Sequence, residues 1–188
     1  MTAPRLVVLV GWPKAGKTTA AEILADHFGY TIADDGFPLR DFAIRHMGVE
    51  PGLVLSQEGK ATKVPFLDGE RTVRWILGEF GNALEKHFGD DIIPWMASLK
   101  LNPEMSYVMP SVRKDQALFW KRLGATVVEI VNPDATSSPH DFDRFNRECI
   151  DIRVVNDGLH QGLKPAKARA RLHWRLQDAL GLGMKRVA

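Results

Sequence analysis

The feature that most constrains the fold of this chain is the segment Gly11 to Thr18, which lies between a short apolar run and a helical pattern. It matches G-x-x-x-x-G-K-[ST] without a gap, and glycines in this pattern let backbone amides curl around an anion at a helix N-terminus. Residues 5–10 before it are rich in Val and Leu, which is typical of a strand buried on both faces of a parallel sheet. The sequence therefore predicts a strand, a phosphate-binding loop and a helix, in that order.

The residue types within this loop indicate separate roles. We expect Lys17 to be catalytic, with its ammonium on the outer phosphates of a nucleoside triphosphate, and Thr18 to bind Mg²⁺ through its hydroxyl. The other loop residues expected to contact the cofactor are Gly11, Lys14, Ala15, Gly16 and Thr19. For Lys14, a solvated side chain is an equally good interpretation. ATP and Mg²⁺ are therefore the predicted cofactors.

The rest of the chain alternates apolar runs with helical periodicity. Strands are predicted at 30–34, 106–110, 126–131 and 152–156, and helices at 38–48, 70–88, 91–100, 113–124, 142–150 and 164–180. Residues 49–67 and 132–141 have the composition of surface connections. Such alternation favours a three-layer α/β fold with a central, mainly parallel sheet between two layers of helices.

Length and composition favour a single cytoplasmic domain spanning 1–188. The 25 Lys and Arg residues nearly balance the 23 Asp and Glu residues, so bulk charge attracts neither nucleic acid nor a membrane. The single cysteine, Cys149, cannot form an internal disulfide, and no targeting segment or run of about 18 apolar residues is visible. We expect no membrane partner, and a homodimer is allowed.

A phosphate-binding loop alone does not separate kinases from GTPase switches or motor ATPases, because all of them position and neutralise phosphates in the same way. A GTPase would be expected to carry an N-K-x-D stretch, which this chain lacks, and a mechanical ATPase would normally be longer. The sequence therefore favours a kinase that acts on a small-molecule acceptor.

The order of these landmarks resembles the deoxynucleoside monophosphate kinases of bacteriophages, within the superfamily of P-loop nucleotide kinases. Besides the loop, the resemblance rests on "ADDGFPLRDFA" (33–43), "GERTVRWILGEFGNAL" (69–84), the "VR" within 110–131, and "PHDFDRFNRECIDIRVVNDG" (139–158). It implies a nucleoside-monophosphate-kinase-like fold and transfer of the ATP γ-phosphoryl group to a deoxynucleoside 5′-monophosphate. It further implies an acceptor-binding region at 36–100, a lid at 132–150 and, if the chain is phage-encoded, a location in the host cytoplasm.

An acceptor phosphate needs cationic donors, preferably forked ones. Arg74, on the helix that carries Gly78 and Gly81, is the first candidate for this role. Arg40 and Arg71 are the next candidates. An exposed surface arginine is the alternative for each of the three.

Further residues follow from the resemblance. Arg113 stands where similar kinases carry an arginine after their third strand, which implies contact with the acceptor or the transferring phosphate. Arg144 and Arg147, three residues apart after the loop 132–141 of the lid region, would share a helical face and stabilise developing charge. Asn156 stands where related kinases bring a loop beside the adenine. For the three arginines the alternative is a solvated surface charge. For Asn156 the alternative is a plain turn.

One stretch departs from the family pattern. Similar kinases usually have an Asp in D-x-R at the end of the third strand, but this chain has Pro110 and Ser111 there. Asp34 and Asp35, near the carboxyl end of the second predicted strand, could replace it, with Asp34 as a metal ligand and both contacting the acceptor. Asp34 or Asp35, with Asp35 as the catalytic candidate, could instead be a base that takes a proton from a hydroxyl acceptor. A turn that caps a helix is the third interpretation.

Two other functions stay open. A kinase for a hydroxyl acceptor, such as a hydroxymethylated base in DNA or a nucleoside, would fit the paired Asp residues. Lys167, Arg171 and Arg175 recur every four residues on the last helix and could follow a DNA backbone, although a solvated helix face has the same pattern. The missing Asp also allows a nucleotide-binding protein without catalysis.

Overall fold

Strands and helices alternate along most of the chain, and the computed structural model describes residues 3–137 and 144–183. The elements in chain order are β1 (Leu6–Val10), α1 (Lys17–Phe28), β2 (Thr31–Ile32), α2 (Phe37–Met47), α3 (Gln57–Ala61), β3 (Lys63–Phe66), β4 (Gly69–Thr72), α4 (Val73–Phe88), α5 (Ile92–Ser98), β5 (Tyr107–Met109), α6 (Gln116–Arg122), β6 (Thr126–Val131), β7 (Ile152–Val155) and α7 (Pro165–Leu180). They form two compact units: Met1–Asp34 with Leu101–Ala188, and Asp35–Lys100.

The first unit is built on a five-stranded sheet with the order β2-β5-β1-β6-β7. Every neighbouring pair is parallel, and Val7 of the central strand lies opposite Val108 on one side and Thr126 on the other. Val7 to Val10 are fully buried, as expected for a strand covered on both faces.

Helices cover this sheet on its two faces. Val7 and Leu9 belong to a core cluster with side chains of α1 and α7, among them Ile23 and Leu172. Because side chains alternate along a strand, Val8 and Val10 point to the opposite face. There α6, which carries the fully buried Trp120, lies against β1 and β6. The predicted α/β fold with a central parallel sheet between layers of helices is thus confirmed.

The second unit packs helices α2 to α5 with a hairpin of β3 and β4. Its core contains Ala43, Val54 and Val73. A Cβ at Gly81 would lie 3.2 Å from Leu39 Cδ1, so glycine allows α2 and α4 to approach closely. A Cβ at Gly78, by contrast, would have no neighbouring atom within 4 Å, so of these two glycines only Gly81 is closely approached.

The hairpin lies where the sequence analysis expected a surface connection and the start of a long helix. Phe66 pairs with Gly69 across a two-residue turn, in which Leu67 has a φ of +51°. The Asp68-Gly69 dipeptide, which follows the apolar residue Leu67, is a turn signal that was visible in the sequence. The prediction of a helix beginning at residue 70 was therefore wrong.

The long helix α4 instead begins at Val73. Thr72 caps it, because its hydroxyl accepts a hydrogen bond from the backbone N–H of Trp75 at 3.2 Å. Arg71 consequently lies on a strand, whereas Arg74 lies in the first turn of the helix. The two arginines therefore do not lie on one helix, although the predicted helix over 70–88 contained both.

The prediction of a helix over 142–150 was also wrong for its described part. Arg147–Cys149 form a single 3₁₀ turn, and Phe145 makes a parallel bridge with Lys114. Arg144 and Arg147 therefore do not share a helical face. Residues 138–143 of the predicted lid lie outside the described residues. Among the helices that are described, none combines the length and apolar composition needed to cross a membrane.

Candidate phosphate-binding site

The loop between β1 and α1 has the backbone of an anion-binding turn. Three of its residues have positive φ: Gly11 at +137°, Lys14 at +66° and Gly16 at +100°. Helix α1 begins directly after Gly16, at Lys17. The amides of a first helical turn have no preceding turn to bind, so they face whatever lies at the helix N-terminus. The loop and the helix start therefore present N–H groups to one place.

Neighbouring atoms leave no room for a side chain at either glycine of the motif. A Cβ at Gly11 would lie 2.5 Å from the carbonyl oxygen of Ile130 in β6. A Cβ at Gly16 would lie 2.3 Å from Asn156 Nδ2, which follows β7. Side chains at either position would overlap these atoms, so β6 and the turn after β7 help to fix the loop.

The ammonium of Lys17 lies over the start of the same loop. Its Nζ is 2.6 Å from the carbonyl oxygen of Gly11 and 3.0 Å from that of Trp12. The charge of Lys17 thus adds to the positive end of the α1 dipole. Anions are favoured where these two fields coincide.

The remaining loop residues differ in exposure. Ala15 is buried and donates its N–H to the carbonyl of Trp12 at 3.1 Å, which closes the turn. The side chains of Lys14 and Thr18 are exposed, and that of Thr19 is half-buried. The predicted contacts of these residues with ATP and Mg²⁺ stay predictions.

The carboxyl ends of two other strands supply polar groups to the loop backbone. Asn132, directly after β6, has its Nδ2 3.5 Å from the carbonyl oxygen of Lys14. Asn156, directly after β7, donates from Nδ2 to the carbonyl of Ala15 at 2.9 Å. Asn156 therefore contacts the loop itself, and its implied place beside the adenine stays a prediction.

Two more segments of the first unit meet at the loop. The ring of Trp12 packs edge-on against that of Phe145, with 5.3 Å between centroids. The N–H of Lys114 donates to the carbonyl of Arg144 at 2.6 Å, and the N–H of Asn146 donates to the carbonyl of Lys114 at 3.1 Å. The segments that carry Arg113 and Arg144 are thus held together beside the loop.

The arginines of these segments are all exposed. Arg113 follows β5, and its carbonyl accepts a hydrogen bond from Gln116. The guanidinium of Arg147 lies 5.9 Å from the centre of the Phe145 ring. The structure therefore brings the two segments that carry these arginines together beside the loop, by an isolated β-bridge rather than on one helix.

Asp34 and Asp35 fall in different units. The N–H of Ala33 donates to the carbonyl of Val108, so Asp34 follows the last sheet bond of β2, at the carboxyl end beside β5. Asp35 begins the second unit and is only 3% exposed. Within the described residues, no three His, Cys, Asp or Glu side chains are grouped to hold a metal. Mg²⁺ at phosphate sites usually takes one or two protein ligands, with phosphates and waters as the rest.

An ionic cluster that the sequence did not predict lies behind Asn156. Asp157 is 8% exposed and has its Oδ1 2.7 Å from Arg175 Nη1 and 3.3 Å from Arg171 Nε. Gln161 Nε2 donates to its Oδ2 at 2.7 Å. Burial alone would raise the pKa of Asp157, but the hydrogen bond from Arg175 and the charges of both arginines outweigh it and hold the pKa below its usual value.

This cluster changes the interpretation of the last helix. Arg171 and Arg175, which could have followed a DNA backbone, are bound to Asp157, whereas Lys167 is exposed. Their spacing of four residues was visible in the sequence, but their partner was not.

A second missed pair lies within the sheet. Glu129 in β6 is 7% exposed, and its Oε2 lies 2.7 Å from Nε of Arg153 at the paired position of β7. A single Glu in the apolar run "TVVEIV" was the signal, because a buried carboxylate requires a partner.

The acceptor candidates lie on three elements of the second unit. Arg40 is on α2, Arg71 on β4 and Arg74 on α4. The guanidinium of Arg71 lies 5.3 Å from the ring centre of Trp75, whose side chain is 43% exposed, and Phe66 packs edge-on against that ring. These contacts form an exposed surface that is both aromatic and cationic.

No protein-family model matches the chain, and no curated protein matches it. Among solved structures, it is similar to an unliganded sugar kinase from Janibacter sp. HTCC2649, with 15% identity, a TM-score of 0.43 and coverage of 96% of each chain. A likeness this distant assigns no substrate. Membership in the phage nucleotide kinase family stays a prediction from the sequence.

Proposed function

We propose that this chain is an ATP-dependent kinase whose acceptor is a deoxynucleoside 5′-monophosphate. The observation that carries the proposal is the loop after β1. Gly16 has a left-handed backbone immediately before α1, and Lys17 Nζ lies 2.6 Å from the carbonyl of Gly11. Backbone amides, a helix N-terminus and a lysine in this arrangement fit the phosphate chain of a nucleoside triphosphate.

The residues around the loop suit transfer of a phosphoryl group. Thr18, through its hydroxyl, and Asp34, through its carboxylate, are the residues that would hold Mg²⁺, which would supply neutralising charge for the phosphates. Arg113, Arg144 and Arg147 would stabilise the negative charge that develops during transfer. Each of these side chains is held on a segment that contacts the loop or ends at the same edge of the sheet.

A monophosphate acceptor fits the second unit. A phosphate oxygen is already ionised at neutral pH and needs no base, but it needs cationic donors. Arg40, Arg71 and Arg74 supply them, and the exposed ring of Trp75 offers a flat apolar surface for a base. Ser111 stands where similar kinases have an Asp beside the metal, so this difference does not affect the acceptor site.

The test is an ADP-release assay with ATP and Mg²⁺ over a panel of acceptors. The panel contains the dNMPs, the NMPs, nucleosides, simple sugars and DNA that carries hydroxymethyluracil. We expect turnover with one or more dNMPs and a loss of about 10²–10³-fold in Lys17→Ala. Lys164→Ala, which alters an exposed lysine before α7, is the matched control and should keep full activity. Equal activity of Lys17→Ala and Lys164→Ala would contradict the proposed site.

The acceptor site has its own matched pair of variants. Arg74→Ala should raise the acceptor KM about tenfold or more and leave the ATP KM unchanged, because one charge-assisted hydrogen bond is lost. Arg45→Ala, on the exposed surface of α2 where it pairs with Asp41, should change neither constant. Loss of ATP affinity alone in Arg74→Ala would place this residue on the nucleotide side instead.

A hydroxyl acceptor is the second candidate function. The position of Asp34 at the carboxyl end of the sheet favours it, because a carboxylate there could take a proton from an alcohol. Turnover with nucleosides, sugars or modified DNA but with no monophosphate would establish this candidate. Binding of ATP without turnover on any acceptor would instead indicate a nucleotide-binding protein without catalysis.

A further inference from the structure

Asn156 joins the phosphate-binding loop to the end of the sheet. Its Nδ2 donates to the carbonyl oxygen of Ala15 at 2.9 Å across 141 positions of the chain. The approach is close, since a Cβ on Gly16 would lie 2.3 Å from that nitrogen. The contact reaches the main chain of the loop at the peptide between Ala15 and Gly16.

The geometry of a peptide unit gives this contact a directional effect. A trans peptide is planar, so its C=O and N–H groups point in opposite directions. The side chain of Asn156 holds the carbonyl of Ala15, and the N–H of Gly16 therefore points the other way. An amide fixed in this direction needs no reorganisation when an anion binds, which strengthens binding.

The turn that carries Asn156 is itself fixed to α7. Arg175 Nη1 donates both to the carbonyl of Val155 and to Oδ1 of Asp157, so one guanidinium binds the residues on either side of Asn156. A Cβ at Gly158 would lie 2.7 Å from Cα of Ala168, so this residue packs directly on the same helix. The asparagine is thus anchored from behind by α7.

We infer that Asn156 is a positioning residue for the phosphate chain: it orients the Gly16 amide through the Ala15 carbonyl, and Arg175 and Asp157 hold it in place. The inference rests on the proposed function, because it concerns the loop that the proposed function assigns to the phosphates of ATP. It gives Asn156 a role that is independent of the base of the nucleotide. A contact with adenine would instead depend on the base.

The experiment compares three probes by titration calorimetry in the presence of Mg²⁺: ATP, GTP and inorganic tripolyphosphate. Asn156→Ala should weaken all three by a similar factor of about ten, the effect of one lost hydrogen bond in a part-buried site. Asn102→Ala is the matched control. Its Oδ1 accepts from the N–H of Glu104 in the turn that precedes β5, at the opposite edge of the sheet, and its affinities should equal those of the wild type.

Two further variants separate positioning from general loss of structure. Asp157→Asn keeps the shape of the anchor but removes its charge, and it should weaken the three probes by a smaller common factor. Asn156→Asp should bind more weakly than Asn156→Ala, because an oxygen would face the Ala15 carbonyl and add negative charge. In kinetics, the KM for ATP should rise in each variant while the KM for the acceptor stays constant. This separation would not arise from partial unfolding.

The outcomes are distinguishable. A wild-type protein that binds none of the three probes overturns both the proposed function and this inference. A wild type that binds all three, with Asn156→Ala equal to it, overturns the inference alone. A loss confined to ATP also overturns it and assigns Asn156 to the base. If Asn156→Ala fails to fold, Asp157→Asn decides, and unchanged affinity for tripolyphosphate in that variant overturns the inference.

Discussion

Replacement of Gly11 by alanine tests the closest contact of the phosphate-binding loop. The residue has a φ of +137°, and a Cβ there would lie 2.5 Å from the backbone oxygen of Ile130. That oxygen belongs to β6, which is held between β1 and β7, so it cannot move aside as a flexible side chain would. Gly11→Ala should therefore lose stability both from the strained backbone and from the steric overlap.

The magnitude follows from these two contributions. A non-glycine residue in such a region of φ costs about 1–3 kcal/mol, and overpacking against a fixed neighbour costs about 1–3 kcal/mol more. The sum, about 2–6 kcal/mol, is a large part of the total of about 5–15 kcal/mol that holds a typical domain folded. At about 2–4 °C per kcal/mol, a loss of about 4 kcal/mol lowers the Tm by about 8–16 °C.

Gly124 provides the matched control for this measurement. It also has a positive φ, +84°, but a Cβ added at that position would have no neighbouring atom within 4 Å. Gly124→Ala should therefore show the backbone contribution alone, about 1–2 kcal/mol. Thermal and urea unfolding followed by circular dichroism measure both variants. If Gly11→Ala loses no more stability than Gly124→Ala, the close approach of Ile130 to the loop is refuted.

Three further predictions concern side chains away from the loop. Burial, and then the charges of His27 and Arg169, lower the pKa of His173 from its ordinary 6.5, so the unfolded chain takes up a proton that the folded chain resists. The Tm should therefore fall as the pH drops from about 7.5 to about 5.5, and His173→Phe should reduce this slope. Burial raises the pKa of Cys149, so iodoacetamide should modify it only in denaturant, as mass spectrometry would show; rapid labelling of the folded chain would contradict its burial. Arg153→Met should lower the free energy of unfolding by about 1–3 kcal/mol, because Glu129 loses its partner, and Glu129→Gln in the same chain should recover part of it in urea titrations.

The sequence was sufficient to predict those elements whose patterns lie within a short stretch of the chain. The strand at residues 6–10, the loop and the start of α1 are neighbours in the chain, and each has a pattern of its own. Parallel pairing also followed from the alternation of strands and helices. The hairpin at 63–72 was missed because the helical periodicity of α4, which starts at Val73, was extended backward to residue 70, over most of the second strand of the hairpin.

The contacts around the loop depend on residues that are distant in the chain. The bond from Asn156 to Ala15 requires that β7 end level with the loop, which no local pattern specifies. Arg171 and Arg175 had a visible spacing, but their partner Asp157 is determined by how α7 packs on the turn after β7. The sequence therefore predicted a phosphate site but could not predict which side chains shape it.

The hydrogen bond between Ala15 and Asn156 has a consequence during synthesis of the chain. The glycine-rich motif leaves the ribosome well before Asn156, which follows Ala15 by 141 positions, and before the helix α7 behind it. A nascent polypeptide thus carries the motif long before it carries the side chains that shape it. The candidate site is therefore complete only once α7 has been made.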